Sequence, residues 1–239
     1  MNSRGQKIIL LVEDEPSLAK IEGMVIEKFG YKIIFASTGE KAVECVEEFP
    51  DIDLILMDIN LGSGIDGTQA AREILEKRHL PIVFLTSHSE KEYVDRVKAI
   101  TRYGYIVKNS GSFVLQSSIE MAFELFESNK KNQLEKEFNQ TLFDNLPAGI
   151  VARDDRGMLA LFNKTSSAWH GVDIKKLPPE EWGKHYGLYD VDGVPPLSVE
   201  QIPLFRAFKG ERFKGVQMSI VEGKPPRYIS VNGAPFYGF

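Results

Sequence analysis

The sequence predicts an α/β protein: a doubly wound, five-stranded parallel sheet in the order 2-1-3-4-5, a helical linker, and then a smaller α+β domain. Three observations carry this. Short apolar runs alternate with helical stretches up to about Phe126. A strongly polar segment free of Gly and Pro follows at Glu127–Gln140. From Thr141 onward the pattern changes to short strands broken by Gly- and Pro-bearing turns.

The first strand is Lys7–Val12, followed by an amphipathic helix over Pro16–Phe29 with Pro where a first turn accepts it. Gly30 ends that helix, and Tyr31–Ala36 is the second strand. Ser37-Thr38-Gly39-Glu40 has capping-box spacing and opens a helix to Glu48. Asp53–Met57 is the third strand, and the flexible loop Leu61-Gly62-Ser63-Gly64 leads to a helix over Asp66–Arg78. Pro81–Leu85 and a helix over Glu90–Thr101 form the fourth unit; Tyr103–Val107 and a helix from Ser112 form the fifth. Leu115, Ile119, Ala122 and Phe126, then Leu134 and Phe138, have broken helical spacing. They predict one extended helix leaving the first domain, either pairing with a copy of itself or simply solvated. In the last segment, Gly149–Arg153, Met158–Phe162, Gly215–Val221 and Arg227–Phe236 are predicted strands, with a hairpin turn at Asp154–Gly157. The expected boundaries are 1–127, 128–140 and 141–239.

Bulk properties narrow the function classes. The 239 residues are 43% hydrophobic and 26% charged, as expected of a chain with a real core. A net charge of −5 argues against a nucleic-acid or anionic-membrane surface. The single cysteine, Cys45, excludes an internal disulfide and a cysteine-rich metal site. No apolar run approaches the length of a membrane span, and the N-terminus turns acidic too soon for a secretory signal, so a cytoplasmic location is expected.

The polar residues at the strand ends are Glu13-Asp14, Asp58, Thr86 and Lys108. Ligands of open parallel sheets bind beyond the carboxyl ends of the strands, so these groups are expected in one crevice. Singly, each has an ordinary reading: a solvated acid, an acid pair at a helix start, a strand threonine, a surface lysine. Together they make a phosphate-handling constellation. Carboxylates about 4 Å apart repel by roughly 4 kcal/mol per pair at an effective permittivity near 20, and a divalent cation relieves that. Mg²⁺ suits such an oxygen-rich, partly hydrated site.

In order and context these positions resemble the receiver domain of two-component response regulators, over about Lys7 to Phe126. VEDE corresponds to the acidic pair, LILMDINL to the acceptor strand, VFLTS to the switch hydroxyl and GYIVK to the lysine. The resemblance implies a flavodoxin-like fold with Asp58 as phosphoacceptor, Lys108 as phosphate-binding cation, and Thr86 and Tyr105 as switch residues. It implies Mg²⁺ held by Glu13, Asp14, Asp58 and the backbone carbonyl of Asn60. The implied phosphodonor is a sensor histidine kinase or a histidine phosphotransfer protein. Two departures stand out. Asn109 replaces the proline that usually follows the lysine through a cis bond. A cis non-prolyl bond costs about 2.5–4 kcal/mol, so a trans or strained turn is expected here, with the reach of Lys108 in question. The Gly62–Gly67 loop is also slightly long.

Asn145–Ile150, Asp155-x-Gly157, Asn163, Trp169-His170-Gly171, Gly210-Glu211 and Asn232–Pro235 resemble a PAS domain. That family senses ligands, redox state or light, or dimerises, and a homodimer is expected. A flavin adduct would need a core cysteine, and Cys45 lies in the other domain. His170 and His185 have the residue type of haem ligands, although satisfied or exposed histidines are commoner; Trp169 and Trp182 read as packing. No PAS ligand is assigned. PAS domains normally close with one further strand, so the sheet is expected to be one strand short, with an open edge. The chain is accordingly expected to be a fragment or a truncated product, such as the N-terminal part of a hybrid sensor histidine kinase. No kinase module is present in these residues.

The expected function is therefore phosphorelay signalling. The alternatives are an aspartyl-phosphate phosphatase of haloacid-dehalogenase type, a transcription factor, and a dimerisation scaffold that is never phosphorylated. The phosphatase would need a second Asp where Asn60 stands, and no helix-turn-helix or basic stripe supports DNA binding.

Overall fold

The computed structural model describes residues 5–87, 100, 103–154, 156–175, 177–221 and 225–235. The chain divides into two compact units, Met1–Gln133 and Leu134–Phe239.

In the first unit the strands are β1 (Ile8–Val12), β2 (Lys32–Ala36), β3 (Ile52–Asp58), β4 (Ile82–Thr86) and β5 (Tyr105–Val107). They form a parallel sheet in the order β2-β1-β3-β4-β5, as the sequence predicts. Helices α1 (Pro16–Lys28), α2 (Gly39–Glu48) and α3 (Gly67–Lys77) follow β1, β2 and β3. The helix expected over Glu90–Thr101 lies outside the described residues.

Why the central strands read as unbroken apolar runs is visible in their side chains. Leu10, Val12, Ile55, Met57, Ile82 and Phe84 join one buried cluster with Ala42 and Val46 of α2 and Ala70, Ala71 and Ile74 of α3. The residues between them, Ile9, Leu11, Leu54, Leu56, Val83 and Leu85, join a second cluster with Ile26 of α1. Successive side chains point to opposite faces, and both faces are clad with helices. The edge strand β2 is only partly covered, and Phe35 remains 52% exposed.

Helix α4 (Ser112–Asn145) runs for 34 residues. Ile119, Ala122 and Phe123 pack into the second cluster, which fixes its first turns. From Glu127 to Leu142 every residue is exposed, including Leu134, Phe138 and Leu142.

The second unit contains a hairpin of β6 (Val151–Arg153) and β7 (Leu159–Phe162). It also has a three-stranded sheet in the order β10-β9-β8, made from β8 (Leu188–Tyr189), β9 (Phe213–Ile220) and β10 (Arg227–Gly233). Three short helices, α5 (Lys164–His170), α6 (Pro179–His185) and α7 (Pro203–Phe208), lie between β7 and β9 in the chain. Leu159, Trp182, Tyr186 and Ile202 form its buried core. Asn163 ties the entry of this unit together. Its side-chain oxygen accepts from the backbone N–H groups of Ile150 and Ser166, both at 3.0 Å. Its amide group donates to the carbonyls of Phe143 at 3.1 Å and Ala148 at 2.8 Å. Asn163 is fully buried with both ends of its side chain bonded, and it also N-caps α5.

Several boundaries differ from the sequence reading. β3 and β4 reach one residue further than predicted, so Asp58 and Thr86 are the last residues of their strands. β5 begins at Tyr105 rather than Tyr103, because Gly104 takes φ +103°. β10 ends at Gly233. β8, only two residues long, has no periodicity to announce it.

Candidate functional site

The sheet register assembles the site. Val12 lies opposite Met57, Asp58 opposite Leu85, and Thr86 opposite Val107. Glu13, Asp58, Thr86 and Lys108 are therefore side by side at one sheet edge, each within a residue of level. Backbone bonds hold the row: Glu13 N–H to Ala36 at 3.1 Å, Ile59 N–H to Leu85 at 3.3 Å and Lys108 N–H to Thr86 at 2.8 Å.

Side chains converge on the same point. Carboxylate oxygens of Glu13, Asp14 and Asp58 all lie within 4.8 Å of one another. The Lys108 ammonium donates to Glu13 Oε2 at 2.5 Å and to Asp58 Oδ2 at 2.7 Å. Glu13, Asp58 and Lys108 have almost no exposed side-chain surface, whereas Asp14 faces solvent. Burial pushes the Glu13 carboxyl above its ordinary range, and this outweighs the attraction of Lys108. Burial also acts to lower the Lys108 ammonium, but its bonds to Asp58 and Glu13 hold it above its ordinary value. Three acids against one ammonium leave a negative excess that favours a cation.

The reach of Lys108 is explained by the residue after it. Asn109 adopts φ +65°, a left-handed conformation that Asn tolerates better than most residues, and the preceding bond is trans. The turn needs no cis proline to bring the lysine onto both acids. The loop after β3 is held as closely. Glu40 Oε1 accepts from Ile65 N–H at 2.8 Å, and Asp66 caps α3 by accepting from Gln69 N–H at 2.8 Å. Gly67 N–H donates to the Ile59 carbonyl at 3.0 Å, and a Cβ on Gly67 would sit 1.9 Å from the Asp58 carbonyl oxygen. Only glycine allows that approach, so the loop lies directly on the backbone of Asp58.

Of the other expected residues, Thr86 is 2% exposed at the end of β4, and Tyr105 is 39% exposed. Tyr105 lies opposite Phe84, two residues before Thr86, so Thr86 and Tyr105 share a sheet face on neighbouring strands. The Asn60 side is exposed, and its backbone N–H donates to Asp58 Oδ1 at 3.3 Å.

One acid escaped the sequence reading. Glu22 of α1 has a buried Oε2 without a hydrogen-bond partner, and its carboxyl is pushed up to about 7. Burial is the main cause, followed by the charge of Glu13. The available signal was its place in the inward stripe of α1, four residues after Leu18 and four before Ile26.

A family model for the response regulator receiver domain matches residues 9–120. Those residues belong to the receiver domain family. The transcriptional regulatory protein PdtaR of Mycobacterium tuberculosis is 34% identical over 119 residues, 49% of this chain and 57% of that protein. ResD of Bacillus subtilis is 34% identical over 38% of this chain and 37% of its own length. This chain thus spans about half the length of the first of these curated relatives and less of the second. Among solved structures, the N-terminal domain of a response regulator/sensory box/GGDEF protein from Carboxydothermus hydrogenoformans is 46% identical. It covers 52% of this chain and 98% of its own, with a TM-score of 0.49. A fusion carrying a trimeric coiled-coil segment of yeast Spc42 is 42% identical over 58% of this chain and 95% of its own, with a TM-score of 0.51. The five-stranded sheet in the order 2-1-3-4-5 with flanking helices is the flavodoxin-like receiver fold. No described helix is long and apolar enough to cross a membrane.

Proposed function

We propose that Asp58 accepts a phosphoryl group from a phosphohistidine donor, a histidine kinase or histidine phosphotransfer protein, and that the change is passed to the second unit. The observation that carries this is Lys108 bridging Glu13 and Asp58 in a buried acidic crevice beside exposed Asp14. An Asp58 carboxylate oxygen attacks phosphorus; the P–N bond to the donor imidazole breaks as the new P–O bond forms, and the imidazole takes up a proton. Lys108 is placed to neutralise the transferred group's oxygens, which is most of what phosphoryl transfer requires. Mg²⁺ fits the all-oxygen donor set; Glu13, Asp14, Asp58 and the Asn60 carbonyl would hold it, and it would supply further neutralisation of phosphoryl charge. Thr86 then bonds a phosphoryl oxygen and Tyr105 turns inward on the face they share, which alters the β4–β5 surface.

The second unit, in this reading, is a PAS-like sensor, and the exposed stretch of α4 pairs with a second copy of the chain through Leu134, Phe138 and Leu142. Replacing Leu134 and Phe138 with Glu should then shift the sedimenting species from dimer to monomer; a wild type that is monomeric at all concentrations sinks the pairing. A phosphatase is disfavoured because Asn60 offers Asp58 a backbone N–H but no carboxyl for acid–base turnover.

Intact mass after incubation with acetyl phosphate and Mg²⁺ tests the transfer. Wild type should gain one phosphoryl group, while Asp58→Asn and chelated wild type should gain none. A folded wild type that gains nothing would leave the receiver as a scaffold.

A further inference from the structure

The loop between β3 and α3 is anchored by two apolar side chains. Leu61 is buried in the cluster that β3 shares with α2 and α3, and Ile65 is half-buried against it. Between them Gly62, Ser63 and Gly64 form an exposed arch. Gly62 and Gly64 take φ +63° and +100°, conformations that residues with a Cβ rarely adopt. At each of these glycines a carboxylate occupies the place a side chain would take. A Cβ on Gly62 would sit 2.9 Å from Asp14 Oδ2, and a Cβ on Gly64 would meet both carboxylate oxygens of Glu40. The arch thus lies against two acids, one from the acidic crevice and one from the start of α2.

Glu40 also bonds the loop. Its Oε1 accepts the Ile65 N–H at 2.8 Å, and among the described residues this is the only hydrogen bond made by the backbone of 61–65. That bond holds the Glu40 carboxyl below its ordinary range. Gly39, one residue earlier, lets α2 approach closely: a Cβ there would lie 2.7 Å from the Ile65 carbonyl oxygen. An acid in the first turn of a helix is ordinarily explained by the helix dipole alone. The dipole requires no contact with a loop, whereas this carboxylate meets the loop at an amide and at a glycine.

Asp14 is the member of the crevice that such a wall would serve. Glu13 and Asp58 are buried and bonded to Lys108, whereas Asp14 faces solvent with Gly62 against its carboxylate. An exposed carboxylate loses rotamer freedom when it ligates a cation, and a wall that already limits its rotamers lowers that cost. We propose that Glu40 is a positioning residue for cation binding: it tethers the arch at Ile65, the arch holds Gly62 against Asp14, and Asp14 is kept turned toward the oxygens of Glu13 and Asp58. The inference rests on the cation reading of the crevice.

The probe is Mn²⁺, which favours the same oxygen ligands as Mg²⁺ and whose free ion is read by electron paramagnetic resonance, with Mg²⁺ as competitor. Wild type is compared with Glu40→Ala, Glu40→Gln and Asp14→Asn. Groups that orient metal ligands without touching the metal are typically worth 10–100-fold in affinity, so Glu40→Ala should bind Mn²⁺ about tenfold more weakly. Glu40→Gln keeps an oxygen that can accept the Ile65 N–H, and its affinity should stay close to that of wild type. Wild-type affinity in Glu40→Ala, with Asp14→Asn weakened, overturns the tether and leaves the cation reading intact. Glu40→Gln as weak as Glu40→Ala would assign the effect to charge and also overturn the tether. Absence of Mg²⁺-displaceable Mn²⁺ in wild type, or wild-type affinity in Asp14→Asn, would sink the cation reading and the tether with it. Amide exchange separates positioning from folding. In Glu40→Ala it should quicken at 61–65 while 54–57 stay protected; equal acceleration along β3 would make Glu40 a general stabiliser instead.

Discussion

β3 and β10 are both seven residues long, yet six of seven residues are buried in β3 and none is in β10. β3 has a strand on each side and packed helices on both faces; among the described residues, β10 has a single strand neighbour. The difference shows what a functional strand end needs. Asp58 ends a strand that cannot shift without disturbing two ladders and two apolar clusters, so its carboxylate is held where Lys108 and Glu13 meet it. The end of β10 has no such support.

The comparison can be broken most severely at Lys108. If strand packing exists to hold this crevice, Lys108→Met should slow phosphoryl uptake by about 100-fold, roughly 3 kcal/mol, with unchanged far-UV circular dichroism. Uptake within a few-fold of wild type would mean that the lysine is a structural ion pair only.

Next in size is Asn163. Removing its side chain leaves two N–H groups and two carbonyls without these partners, at a cost of about 3 kcal/mol. Asn163→Ala should lower the denaturant midpoint reported by Trp169 and Trp182, which lie only in the second unit, and leave phosphorylation of Asp58 intact. Loss of both together would show that the units do not fold independently.

Glu22 sharpens the contrast at smaller scale, because it is a flaw inside the better-packed unit. Its folded pKa of about 7 lies above the unfolded value near 4.5. The unfolded chain therefore releases this proton first as pH rises. Stability associated with the neutral acid is complete below about 4.5 and is lost as pH climbs through 7. Glu22→Gln should match wild type at pH 4.5 and exceed it at pH 8 by about 1–2 kcal/mol, a figure reduced for its partial exposure. Denaturant titrations at the two pH values check this; an equal difference at both would assign the effect to packing.

The same contrast explains what the sequence made legible. In the first unit the apolar runs mark the buried strands, and the polar residues ending them mark the site, so Asp58, Thr86 and Lys108 could be placed from pattern alone. The doubt over Lys108 came from Asn109, and its resolution depends on a backbone angle that sequence does not display. Glu22 was hidden because helical periodicity reveals the inward face but not how close that face comes to another strand's carboxylates. In the second unit the predicted strands formed, but half-buried strands have weaker alternation. β8 is too short to have any, and the role of Asn163 depends on four backbone groups brought together only by folding.

The central claim is that register across four separated strands makes Asp58 the phosphoacceptor. The most direct measurement is to treat the acetyl-phosphate-loaded chain with borohydride, which reduces an aspartyl phosphate to homoserine, and to map the product by peptide mass. Homoserine at position 58 alone is the predicted result. Homoserine at 14, 2-amino-5-hydroxypentanoic acid at 13, or neither product despite a phosphoryl gain in intact mass, would contradict it.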